Sequence, residues 1–193
     1  MADDDANARE QDHELGAVPD EAPVVPSDEV AAALLVQFPD GVFFESHGQP
    51  VVHLPREHWH DVAAFLRDEQ QFTQCVDVAA VDHAVAPTRA TPPAVNAERF
   101  EVVANFLSHA RNRRIRVIAQ VPFEEPSIAS ITDLYPGVNF AERETYDLFG
   151  VEFTGHPDLT RILMPDDWLG HPLRKDDSPA RVPVTFKGAP SQR

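Results

Sequence analysis

Apolar positions first recur at helical spacing over residues 28–37, where Val30, Leu34 and Phe38 share one face. Ser27 stands where an N-cap would, and Asp28 and Glu29 complement the helix dipole. Pro39-Asp40-Gly41 reads as a turn. Two short runs, Val42-Phe43-Phe44 and Val51-Val52-His53, flank Ser46-His47-Gly48-Gln49, the pattern of a strand pair with a hairpin loop. Residues 55–70 carry the stripe Trp59, Val62, Phe65, Leu66 behind a Pro55 suited to a first turn, which predicts a helix. Phe72, Gln74, Val76 and Val78 share one side of a strand over 72–81, and Pro87, Pro92 and Pro93 make 82–96 a loop. Residues 98–107 and 113–121 alternate in part, Phe100 and Val102 against Glu101, and Ile115 and Val117 against Arg114 and Arg116. They predict an antiparallel pair with one wetter face, joined by the polar turn 108–112. Pro122 and Pro126 end that sheet, and 127–135 is expected to be a short helix or turn.

Elements grouped this way, without strict β-α-β alternation, predict an α+β fold. It would have two layers, a mainly antiparallel or mixed sheet packed with helices, followed by an irregular extended C-terminal arm.

Residues 139–175 pack charge, aromatic rings, histidines, Gly and Pro more closely than any other stretch. They open with a short helix. Asn139 is a candidate N-cap, Glu142 sits three residues on where a capping-box acid belongs, and Gly150 follows as a C′ glycine. Phe140, Tyr146, Leu148 and Phe149 would pack, with Glu142, Arg143, Glu144 and Asp147 beside them. Pro157, Pro165, Pro172 and Gly170 then prevent a long helix, leaving an ordered arm with one short strand at 161–164.

Composition narrows the function. A chain of 193 residues is one domain, with or without tails. The net charge of −16 argues against nucleic acid and against direct binding to an anionic membrane surface, and suits solubility or docking on a basic partner. No apolar run nears the roughly 20 residues of a membrane helix, and the Asp3-Asp4-Asp5 start is unlike a signal or transit peptide. The expected location is the cytoplasm of a prokaryote. Residues 1–27 are too poor in large apolar side chains to offset ordering entropy and are expected to be a disordered acidic tail. The division is thus 1–27 tail, 28–150 α+β domain and 151–193 arm. Residues 176–193 carry Pro179, Pro183, Pro190, Arg181, Lys187 and Arg193, and read equally as an arm laid on a partner or as a disordered tail.

The single cysteine, Cys75, excludes an internal disulfide and an iron–sulfur cluster held by this chain, since a cluster takes about four thiolates. Cys75 is expected to be a small apolar filler. No glycine-rich phosphate loop and no G-x-S-x-G elbow occur, so no catalytic residue, cofactor site or metal site is assigned. Glu144 and Asp147 with His156 and His171 are the nearest approach to a metal set, and would suit a metal-dependent hydrolase. A hydrogen-bonded charge cluster of Glu142, Arg143, Glu144 and Asp147 is the simpler reading, with an Arg143 partner outside its own helix. His13, His47, His53, His58, His60, His83 and His109 are scattered and are expected to be solvated.

The run Glu142-Arg143-Glu144, Asp147-Leu148-Phe149-Gly150, His156-Pro157 and Arg161-Ile162-Leu163 resembles the signature of the C subunit of respiratory NADH-quinone oxidoreductase, complex I. Pro165-Asp166-Asp167-Trp168 and Gly170-His171-Pro172-Leu173-Arg174-Lys175-Asp176 look like the same family's C-terminal arm. Arg99-Phe100-Glu101-Val102-Val103 and Arg114-Ile115-Arg116-Val117 look like its central strands, and Pro126-Ser127-Ile128 like the lead-in to its helix. The resemblance covers about residues 40–180. The family often has Trp at Tyr135 and Phe140, and Tyr at Asp177.

The resemblance implies a cofactor-free subunit of a proton-pumping enzyme, bound to the quinone-proximal D subunit, near the B and I subunits. FMN and iron–sulfur clusters would lie in those partner subunits. The implied place is the cytoplasmic side of the membrane, held there only through the complex. The implied interface comprises Glu142, Arg143, Glu144, Asp147, Phe149, His156, Arg161, Trp168, His171, Arg174 and Lys175. The matching subunit of a membrane-bound hydrogenase or of an F420- or ferredoxin-linked dehydrogenase is the alternative.

Overall fold

The computed structural model describes residues 28–86, 91–92 and 94–177. The acidic segment 1–27 and the final residues 178–193 lie outside that range, as does Ser27. The cap on the first helix, α1 (Glu29–Gln37), is instead Asp28, whose carboxylate accepts from the N–H groups of Val30 and Ala31 at 2.9 and 3.0 Å.

The chain then forms a hairpin, β1 (Val42–Ser46) and β2 (Gln49–Pro55). His47 and Gly48 both have positive φ, 52° and 72°, as a two-residue turn matched to strand twist requires. Pro55 closes β2 rather than opening the helix. A 3-10 turn over Arg56–His58 leads into α2 (Trp59–Asp68). Next come β3 (Gln74–Asp82), β4 (Phe100–Ser108) and β5 (Arg113–Val121). The sheet order is β1-β2-β5-β4-β3. Only β2 and β5 run parallel; the other pairs are antiparallel, giving the mixed sheet the pattern predicts. Along β3 a bulge between Cys75 and Asp77 leaves Val76 unpaired and exposed. Phe72 and Val78 face the core but Val76 does not, because the inserted residue breaks the two-residue period.

One sheet face joins the helices in a single core. Val52, Leu54, Val102, Phe106, Ile115 and Val117 meet Leu34 of α1 and Trp59, Val62 and Leu66 of α2. The opposite face is wetter, and carries a buried polar chain. The Gln120 amide donates to Glu101 Oε1 at 2.9 Å and lies 3.2 Å from His53 Nδ1, while His83 Nε2 lies 3.0 Å from Glu101 Oε2. His53 and His83 are therefore not solvated side chains, because cross-strand neighbours enclose them. His60 lies 3.0 Å from Asp133, and His109 lies 3.1 Å from the Gln74 amide oxygen. Cys75 is part-buried against the core, and burial pushes its thiol up to about 12, as an inert filler would be.

Residues 127–135 are not a helix. Ser127–Ala129 is a strand, β6, paired in parallel with β7 (Glu152–Thr154), and a turn follows it. Between them lie a 3-10 turn over Pro136–Val138 and α3 (Asn139–Phe149), which packs on β3. Asn139 is inside the helical run and caps nothing. Gly150 ends α3 in the left-handed conformation, φ 73°.

Candidate functional site

The chemistry-bearing residues of α3 turn inward, each for a different reason. Glu142 is fully buried. It does not close a capping box: Oε1 accepts from the Ile131 N–H at 2.8 Å and Oε2 from the Ser130 hydroxyl at 2.6 Å. Burial pushes its carboxyl above the ordinary range despite those two bonds. It pins α3 to the turn after β6.

Asp147, also fully buried, anchors the arm. Its Oδ2 accepts from three successive backbone N–H groups, Ile162 at 3.0, Leu163 at 2.7 and Met164 at 2.9 Å. Its Oδ1 accepts from Arg161 at 2.7 Å. Residues 161–164 therefore wrap a carboxylate; their N–H groups have no strand partner, so the expected strand does not form. Burial works against ionisation of Asp147, but the N–H groups and Arg161 outweigh it, and the carboxyl titrates below its usual range.

Arg143 finds its partner outside the helix, as expected, though it is no carboxylate: it donates to the Thr160 carbonyl at 3.0 Å and the Thr160 hydroxyl at 2.8 Å. It also lies over the Phe140 ring. Glu144 stays exposed. The four charges of α3 thus do not bond to one another, since the arm and the β6 turn take them up separately.

The arm continues this wrapping. The other Arg161 amine donates to the Gly170 carbonyl at 2.9 Å, and His171 Nδ1 donates to the Asp147 carbonyl at 3.0 Å. The Leu173 N–H caps the Leu148 carbonyl. His156 Nε2 donates to the Asn139 carbonyl, and Phe149 packs half-buried against the core. Asp177, where the family often has Tyr, accepts from the His171 N–H at 2.9 Å and so closes the turn at Gly170. Phe140, expected to pack, is exposed and carries only the Arg143 guanidinium over its ring.

The arm ends in a second clasp, which sequence reasoning missed. Asp82 accepts from Nε and Nη2 of Arg99, each at 2.9 Å, and from the Lys175 N–H at 2.8 Å. Arg99 also pairs with Asp176 at 2.8 Å, which Arg174 holds at 3.0 Å. Phe100 and Phe123 lie under both guanidinium groups. Asp82 and Lys175 lie 93 residues apart, and no local pattern joins them.

The geometry gives one prediction at Gly150. A Cβ there would meet the His171 ring at 2.6 Å, on a backbone of positive φ. Gly150→Ala is expected to lower stability by about 1–2 kcal/mol. An unchanged urea midpoint would contradict the packing of His171 on this turn.

Glu144, Asp147, His156 and His171 do not converge, and no group of three or more His, Cys, Asp or Glu among the described residues could hold a metal. Nor is any helix among them long and apolar enough to cross a membrane. Large apolar side chains also reach the surface here: Phe140, Leu163, Leu169 and Leu173 are 66%, 58%, 81% and 44% exposed. Trp168 is half-buried, and its indole N–H has no acceptor among the described residues.

Sheet and clasped arm define a class: an α+β module whose C-terminal segment is strapped across its own last helix. The pattern of the respiratory-chain NADH dehydrogenase 30 Kd subunit matches residues 52–182, and the chain belongs to that family. It is 42% identical over 169 residues to the NADH-quinone oxidoreductase C subunit of Salinispora tropica, covering 84% of this chain and 65% of that relative's length. A trypsin-resistant fragment of Nqo5 has the same fold, with a TM-score of 0.58 and 32% identity over 67% of this chain and 96% of the fragment. A chain of the membrane-bound sulfane sulfur reductase, an archaeal respiratory complex, shares the fold at 21% identity, with a TM-score of 0.56 over 86% of this chain and 97% of that one.

Proposed function

We propose that the chain is a peripheral subunit of a proton-pumping NADH:quinone oxidoreductase, with no redox cofactor of its own. FMN and iron–sulfur clusters belong to its partners. It binds the quinone-proximal D subunit, near the B and I subunits, on the cytoplasmic side of the membrane, and so supports electron transfer from NADH to quinone. The observation that carries this reading is the family match, which continues past the sheet and through the whole described arm. The arm supports it physically. Arg161 and Arg174 are turned onto Asp147 and Asp176 and fix its shape, and its exposed leucines supply contact area, which is how a preorganised docking surface is built.

The test is gentle capture of the chain, tagged at its N-terminus, from solubilised membranes. Co-recovery of a flavin- and iron–sulfur-containing assembly that oxidises NADH is the expected result. Recovery with a hydrogenase or an F420- or ferredoxin-linked module instead would assign the chain to a related complex, and recovery of the chain by itself would overturn both.

A further inference from the structure

The arm lies across α3 at Arg143 and Asp147, beside the exposed Phe140, so its outward side chains form the outer layer of this part of the molecule. Leu163, Leu169 and Leu173 leave that layer exposed, and Phe140 joins them from the helix beneath. Large apolar side chains concentrated on one strap mark a contact surface. The charge around them is one-sided. Residues 140–177 hold nine acids and four bases. The bases Arg143, Arg161 and Arg174 are all turned onto groups of this chain, the Thr160 carbonyl and hydroxyl, Asp147 and Asp176. Glu144, Asp158, Asp166 and Asp167 remain exposed, and Asp166 and Asp167 directly precede Trp168 and Leu169.

We infer that the arm is seated by an aliphatic patch rimmed with lysine or arginine, whose cations face Asp166 and Asp167 while Leu169 enters the apolar centre. This rests on the subunit reading above and adds the chemistry of the partner's seat. The leucines supply buried area; the acids set register and steer encounter. Among the described residues of the arm, Lys175 at the far clasp is the only exposed cation, so an acidic rim would find little to pair with along Asp166 to Leu169.

The experiment titrates the full-length tagged chain into solubilised membranes from a strain lacking its own copy, and quantifies the captured dehydrogenase subunits. Leu169→Asp is expected to lower capture roughly tenfold. Asp166→Lys with Asp167→Lys is expected to lower it several-fold. Raising salt from about 0.05 to 0.5 M should weaken capture of the wild type and spare the double-lysine variant. All three positions are exposed, so unchanged thermal melts confirm that the variants fold. A defect in Leu169→Asp with no effect of salt or of the lysines would overturn the basic rim and leave the subunit reading standing. Full capture of every variant would overturn the seat itself. No capture of the wild type would overturn the subunit reading.

Discussion

Replacing Asp147 with alanine is expected to free the arm from α3 while the sheet stays folded. The substitution removes the acceptor of three backbone N–H groups and strands Arg161, which is largely buried. Breaking one side of such a pair costs about 3–5 kcal/mol. Because Arg161 retains the Gly170 carbonyl and some solvent, the lower end is expected, about 3 kcal/mol. The loss falls on arm docking first: the arm can lift off and rehydrate its N–H groups, so the global midpoint moves less than the local one. Trypsin cleavage after Arg161 should accelerate, and amide protection at Ile162, Leu163 and Met164 should collapse. Asp147→Asn is expected to behave similarly, since its amide presents donors to donors. Wild-type protection at those three amides in either variant would refute the anchoring role.

Arg99→Ala should be nearly as damaging at the other clasp. Asp82 is buried, and burial pushes its carboxyl up, but the Arg99 fork and the Lys175 and Ala84 N–H groups outweigh this and bring it down to about 2. A fall of that size from an ordinary carboxylate is worth roughly 2 kcal/mol above the ordinary range. Arg174 and Arg99 likewise hold Asp176 below its usual range. The sign follows directly. Carboxylates depressed in the folded chain contribute stability above their unfolded pKa, and lose it as pH falls through the folded one. Wild-type stability should therefore decline between about pH 4 and about pH 2. In Arg99→Ala, which loses about 3 kcal/mol at neutral pH, that decline should be visibly shallower. Denaturant midpoints across this pH range check it, and parallel wild-type and variant curves would show that the clasp contributes nothing. Glu142 works the other way: its raised carboxyl favours the protonated form, so it offsets part of the acid loss.

The sheet was largely legible because its signals are local. Alternation fixed the β4–β5 pair, His47-Gly48 marked the hairpin, and Gly150 marked the end of α3. The three-residue strands β6 and β7 carry too few residues for a period, and the bulge at Val76 shifts one midway. The site was legible as a stretch but not as a geometry. The resemblance implied an interface role for Glu142, Arg143, Asp147, Arg161, His171 and Arg174, without saying which way each side chain turns. The structure spends them on the chain itself, through contacts 11 to 24 residues distant or on the neighbouring turn. A charged side chain in sequence does not disclose whether its partner is a distant backbone N–H. Nothing in Asp82 or Arg99 separates them from ordinary loop-edge charges, so the second clasp left no trace to read.

The reach of that clasp has a consequence during synthesis. Asp82 leaves the ribosome 93 residues before Lys175, which at about 5–20 residues per second is roughly 5–20 s. The parallel partner of β2 arrives late as well, since Val51 waits for Arg116. The nascent chain therefore holds an unclosed sheet until β5 emerges, and an uncovered Asp82 until Lys175 follows it.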